Sequence, residues 1–171
     1  MKMGSWVRML HVAQGKTRKL STKQTQGGRF NPFAETRRAG VKVRTADIDW
    51  FAWSPDIMTV TLAAHLTVAE KRCAVALALA HHALGHRGNS HQQDIDARRL
   101  AVGWLITEQE MAEAVRAVGI DFVTLSEHLN VTHNAVRIAL GLVCERLSNW
   151  QVELGMSCRC GTGYGVHHGA A

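Results

Sequence analysis

Between Thr67 and His86 the chain reads TVAEKRCAVALALAHHALGH, and Cys73, Ala76, Leu77, Ala80 and Leu84 recur at helical spacing. Thr67 and Glu70 make a capping-box pair: the hydroxyl accepts an orphan amide while the carboxylate reaches back. No proline follows before Gly88, so the spacing predicts a buried central helix over 67–86. Upstream, Asn31-Pro32 is a helix start and Gly40 a stop, which predicts a short helix over Pro32–Ala39. The period then changes to two. Val41, Val43 and Thr45 alternate with charged residues, Ile48–Trp53 follows across a turn, and Ile57–Leu62, rich in β-branched residues, follows Ser54-Pro55-Asp56. Trp50 and Trp53 fall at strand positions, where sheet-face packing is their expected use.

Beyond Gly88 the helical signals recur. Ser90 with Gln93 opens a helix whose stripe is Ala97, Leu100, Ala101, Trp104 and Leu105. Thr107 with Glu110 opens another that ends near Gly119, and Thr124 with Glu127 opens a short one broken at Asn130. Thr132 caps a last helix, from about His133 to Leu147. The expected fold class is α+β: a small antiparallel sheet packed on the Thr67 helix, followed by a helical C-terminal half. The organisation read from these signals is a basic, disordered arm over 1–30, an α+β domain over 31–119, a helix-turn-helix-like segment over 120–150 and a flexible tail over 151–171.

Composition changes this picture little, because 46% hydrophobic and 20% charged residues are ordinary for one globular domain of this length. No apolar run is long enough to span a bilayer and the start lacks a signal-peptide core, so no membrane partner and a cytoplasmic location are expected. Cysteines at 73, 144, 158 and 160 do not form a secreted disulfide framework. Charge changes it more. Residues 1–44 hold eleven Lys and Arg against Glu35 as the one acid, while the remaining 127 hold nine bases and thirteen acids. Lys16, Arg18, Lys19 and Lys23 therefore stand in an arm suited to phosphate contact, the competing use being a solvated tail.

The histidines carry the first candidate chemistry. A pair of strands, a long helix with histidines near its end, and an acidic helix ending in Trp-Leu-Ile-Thr together resemble the ImmA/IrrE family of zinc metallopeptidases. The likeness covers about Asn31 to Trp150 and includes AEKRC at 69–73, LGH at 84–86 and DIDARRLAVGWLIT at 94–107. The resemblance implies a His-Glu-x-x-His helix in which two histidines bind zinc, the glutamate activates water, and a third carboxylate closes the site. Aligned without gaps through Arg72 and Leu84-Gly85-His86, that motif falls on Leu77-Ala78-Leu79-Ala80-His81. Leu77 then replaces a ligand and Ala78 the general base. His81 remains, with Asp94 at the third-ligand position and Arg98 where the family has an aspartate. A second register, His82-Ala83-Leu84-Gly85-His86, again spaces two histidines by four, with Asp94 or Asp96 to complete the set, and again no glutamate follows the first. His81, His82, His86 and Asp94 are thus possible vestigial zinc ligands, against the plainer reading of histidines that favour the negative end of a helix. No catalytic residue is expected.

The second motif is TLSEHLNVTHNAVRIAL at 124–140, which resembles a helix-turn-helix. Small Ser126 would let two helices approach, and Asn130 tolerates the left-handed turn. Val131, Val136 and Leu140 would pack inward, while Thr132, His133, Asn134 and Arg137 would face base edges and phosphates. Purely structural helix pairs share this pattern. The tail adds Cys158-x-Cys160 with His167-His168, whose spacing is not that of a zinc ribbon, and a small apolar Gly-Ala-Ala end of the kind proteases recognise.

Three readings follow. The leading one is a regulator that binds double-stranded DNA through the helix-turn-helix and the basic arm, on a catalytically dead metallopeptidase-like scaffold without cofactor. The family resemblance places such a protein among phage or prophage immunity repressors. The alternatives are a zinc peptidase that cleaves a repressor through His82 and His86, and a non-catalytic pseudo-peptidase that binds a phage or host regulatory protein.

Overall fold

Among the described residues every helix begins where a short polar side chain closes its first turn. A computed structural model describes residues 30–153 apart from Asn89, with side chains described to Arg146. Helix α1, Pro32–Ala39, starts at Asn31, whose Oδ1 accepts from the Phe33 and Ala34 amides at 3.1 and 3.3 Å. Three strands follow, β1 (Lys42–Ala46), β2 (Phe51–Ser54) and β3 (Thr59–Ala63). Five helices complete the order: α2 (Val68–Ala83), α3 (His91–Leu105), α4 (Glu108–Val118), α5 (Phe122–Leu129) and α6 (His133–Glu153). The reciprocal capping boxes Thr67–Glu70 and Thr107–Glu110 both form, opening α2 and α4. Ser90 Oγ accepts from the Gln93 amide at 3.2 Å, and Thr132 Oγ1 from the Ala135 amide at 3.3 Å.

The fold is α+β, with a sheet that is mixed rather than wholly antiparallel. Strand order is β1-β3-β2: β3 pairs antiparallel with β2 (Trp53 opposite Val60) and parallel with β1 (Val43 opposite Val60). The chain passes from β1 across to β2 and returns through a Pro55–Met58 turn, with Met58 at φ 50°, into the gap between them. Alternation shows that a segment is a strand, whereas the order of strands is set by packing between distant residues. All five β3 residues are buried, as a central strand requires, while β1 exposes Lys42 to Thr45.

Helix α2 is buried on every side from Ala74 to Ala80, which is why no single apolar stripe describes it. Ala74, Val75, Ala78 and Leu79 join Val60, Leu62 and Leu66 in a core under the sheet. Ala76, Leu77 and Ala80 join Ala97, Ala101, Val102, Leu105, Leu125, Leu129 and Val136 in a second core among the helices. The alanines let α2 and α3 approach closely, and each fully buried large side chain contributes roughly 1.5–3 kcal/mol. The predicted stripe of α3 is borne out in Ala97, Ala101 and Leu105, with Leu100 and Trp104 half-buried.

Three helix boundaries differ from expectation, the first being the end of α2, which stops at Ala83 rather than running to His86. Helix α5 opens at Asp121, not Thr124: Asp121 Oδ2 accepts from the Thr124 amide at 2.8 Å and its hydroxyl at 2.7 Å, so Thr124 sits in the first turn rather than before it. Helix α6 runs to Glu153, past the expected end near Leu147. The arm and the rest of the tail lie outside the described residues, with Lys16, Arg18, Lys19, Lys23, Cys158, Cys160, His167, His168 and the Gly-Ala-Ala end.

Candidate nucleic-acid interface and histidine cluster

Three helices of this fold end in the same way, and that shared ending explains the histidines. In α1, α2 and α5 the residue after the last turn adopts the left-handed conformation: Gly40 at φ 71°, Gly85 at φ 68° and Asn130 at φ 53°. The next amide then bonds back five residues: Val41 to Thr36, His86 to His81, and Val131 to Ser126, at 2.8, 3.0 and 3.0 Å. This Schellman arrangement brings the side chains of the two bonded residues together. At α1 and α5 the slot holds the buried pairs Thr36/Val41 and Ser126/Val131. At α2 it holds two half-buried imidazoles, with Nδ1 atoms 3.2 Å apart and ring centroids at 5.2 Å. One ring donates to the other.

The four candidate ligands are therefore divided. His81 meets His86, and its far nitrogen, Nε2, stands 4.0 Å from Asp94 Oδ1. Arg98 Nε in turn donates to Asp94 Oδ2 at 2.6 Å. His82 points elsewhere, its ring edge-on to Trp53 with centroids 6.1 Å apart. The register pairing His82 with His86 fails because the helix ends at Ala83 and Gly85 turns the chain, so His86 swings beneath His81. Burial lowers the pKa of both His81 and His86; for His81 the charge of His86 adds to this and Asp94 opposes it. In the gapless register, Leu77 and Ala78 stand at the ligand and base positions, and Ala78 is fully buried against the sheet core. Among the described residues no three His, Cys, Asp or Glu side chains converge as a metal site. These residues do not fit a zinc peptidase centre.

The α5–α6 pair is built more definitely. Asn130 takes the left-handed turn, Ser126 is buried and donates to Val123 O at 2.7 Å, and Val131 and Val136 pack inward with Leu140 half-buried beside them. His133, Asn134 and Arg137 are exposed on the first two turns of α6, and Thr132 is half-buried as its cap. The start of α6 carries the positive end of the helix dipole, a setting that favours anionic groups. Gly141 extends this exposed face by one more turn, and a Cβ there would meet nothing within 4 Å.

Two α2 residues fasten this turn to the core, neither of which was assigned a role from sequence. Arg72, 8% exposed, donates through Nη1 to Leu129 O and Asn130 O, both at 3.0 Å, and through Nη2 to Phe30 O at 3.5 Å. Cys73 Sγ accepts from the Thr132 amide at 3.4 Å and its hydroxyl at 3.7 Å, and burial raises the thiol pKa. A cleft of about 840 Å³ opens beside this junction, between the first turns of α2 and α6. Its signal in the sequence was faint, since a buried arginine at 72 reads like any helical cation.

No protein-family model matches this chain, and a search of curated proteins returns no match either. Among the described residues no helix is long and apolar enough to cross a membrane.

Proposed function

We propose that the protein is a regulator that binds double-stranded DNA, with α6 as its reading helix on a catalytically inactive, metallopeptidase-like scaffold. One observation supports this best: an eight-residue helix, a left-handed Asn130 and a second helix whose first turns expose His133, Asn134 and Arg137. The spacing fits a helix laid in a major groove with its N-terminal residues at base edges. Arg137 suits a guanine edge and Asn134 an adenine edge, both through paired hydrogen bonds. The arm supplies sequence-independent attraction: residues 1–29 hold seven Lys and Arg and no acid. Enrichment of a short motif from a randomised duplex pool, using the full chain at near-physiological salt, tests the reading. Recovery of sequences no different from the input would refute it.

A second reading rests on a separate feature. Ile120, Phe122 and Val123, exposed by 73, 44 and 49%, form an apolar patch at the start of α5, beside Asp121. Phosphates do not favour such a surface, and a protein partner does. This supports a non-catalytic protein-binding module, which would form a stoichiometric complex that Phe122→Ser weakens, and would bind no duplex at low salt.

A further inference from the structure

The cleft between α2 and α6 has an open apolar rim and a lining that carries both signs of charge. Trp50 and Val68, exposed by 43 and 70%, stand at its edge, Leu77 lies within it, and two carboxylates, Glu127 and the capping Glu70, share the lining with one guanidinium, Arg98. His133 and Asn134 also line it, so any occupant lies against the face assigned to base reading. The described span 30–153 carries twelve bases and fourteen acids, a net of −2, against +7 for residues 1–29.

Within that basic segment, Trp6 to Val12 (WVRMLHV) is the apolar stretch, with five large apolar residues in seven. The segment joins the fold at Phe30, whose carbonyl shares the Arg72 guanidinium with Leu129 and Asn130, and Asn130 lines the cleft. Residues 13–29 span up to about 56 Å when extended, well beyond the radius of gyration of roughly 14 Å for a domain of this size. Tethering of this kind gives a local concentration on the order of millimolar.

We infer that Trp6–Val12 of the same chain docks in this cleft, its apolar side chains against Trp50, Val68 and Leu77. The lysines and arginines that follow lie beside Glu70 and Glu127. Docking covers His133 and Asn134 and keeps the basic arm close to its own core until a stronger polyanion takes it. This last consequence rests on the DNA-binding reading; the docking itself does not.

Site-resolved alkylation of Cys73, which lines the cleft, tests docking in the full chain without DNA, with exposed Cys144 as internal control. Trp6→Asp with Leu10→Asp should raise the Cys73 rate about tenfold and leave Cys144 unchanged. Charge reversal at Lys16 and Lys19 should raise it less, with added salt acting in the same direction on the wild type. An unchanged Cys73 rate in the apolar double variant overturns the proposal. Protection that disappears on tenfold dilution also overturns it, because a second copy would then be the occupant. A protein that protects Cys73 yet selects no duplex retains the docking and loses the DNA reading.

Discussion

Replacing Arg72 with Met should loosen the junction between α2 and the α5–α6 turn. Met keeps most of the buried stem and removes every guanidinium donor. Two bonds at 3.0 Å to the Leu129 and Asn130 carbonyls are lost, with a longer one to Phe30. Hydrogen bonds from a charged donor contribute roughly 1.5–3 kcal/mol each, and a buried carbonyl left without a partner costs about 1–3 kcal/mol. Relief from desolvating a guanidinium that is only 8% exposed offsets part of this. The net expectation is a loss of about 2–4 kcal/mol. At roughly 3–5 °C per kcal/mol for a domain of this size, Tm should fall by about 10 °C. Arg72→Lys should fall between, since one ammonium cannot span three carbonyls on separate segments. Thermal melts followed by circular dichroism, with urea titrations for the free energy, measure this directly. A Met variant melting within about 2 °C of wild type would refute Arg72 as the fastening between the two halves.

Other outcomes follow from the same geometry. Burial lowers the His81 and His86 pKa values below the ordinary 6.5, so the unfolded chain takes up protons first. Stability is therefore full above about pH 6.5 and declines as pH falls through the lowered folded values, and His81→Gln should flatten that acid slope of Tm; an unaltered slope would contradict it. Gly141→Ala should stabilise the free protein by about 0.5–1 kcal/mol in denaturant titrations, because its Cβ meets open space. The same variant should weaken duplex binding if α6 lies close to DNA along its third turn. Asn130→Val should cost about 1–2 kcal/mol, since a β-branched residue is strained at φ 53°, whereas Asn130→Gly should be close to neutral; equal melting of the two would remove the turn argument.

What could be read from sequence was local. Asn31-Pro32 and Gly40 bounded α1, the two Thr-x-x-Glu pairs placed α2 and α4, and Asn130 marked the left-handed turn, because each feature is decided within a few residues. The parallel pairing of β1 with β3 joins residues 42–46 to 59–63, and no local alternation encodes it. At the start of α5, Thr124 and Glu127 match a capping box, yet Asp121, three residues earlier, captures the Thr124 amide and opens the helix. The meeting of His81 with His86 was within reach: Gly85 at a helix end predicts a contact between the residues five apart around it. A helix continued to His86 implies a spacing of four instead, which the Gly85 turn replaces with five. Arg72 anchored the family alignment, yet its bond to a turn 57 residues away needed the fold.

The central claim is that the first turns of α6 read bases, and the ratio of specific to non-specific duplex affinity measures it most directly. With the selected motif and a scrambled duplex at the same salt, Arg137→Ala should reduce specific binding by about 1–3 kcal/mol while changing non-specific binding little. Asn134→Ala should reduce it similarly at a different base pair. Equal losses on both duplexes would make Arg137 a phosphate contact, and an unchanged ratio in both variants would contradict base reading by α6.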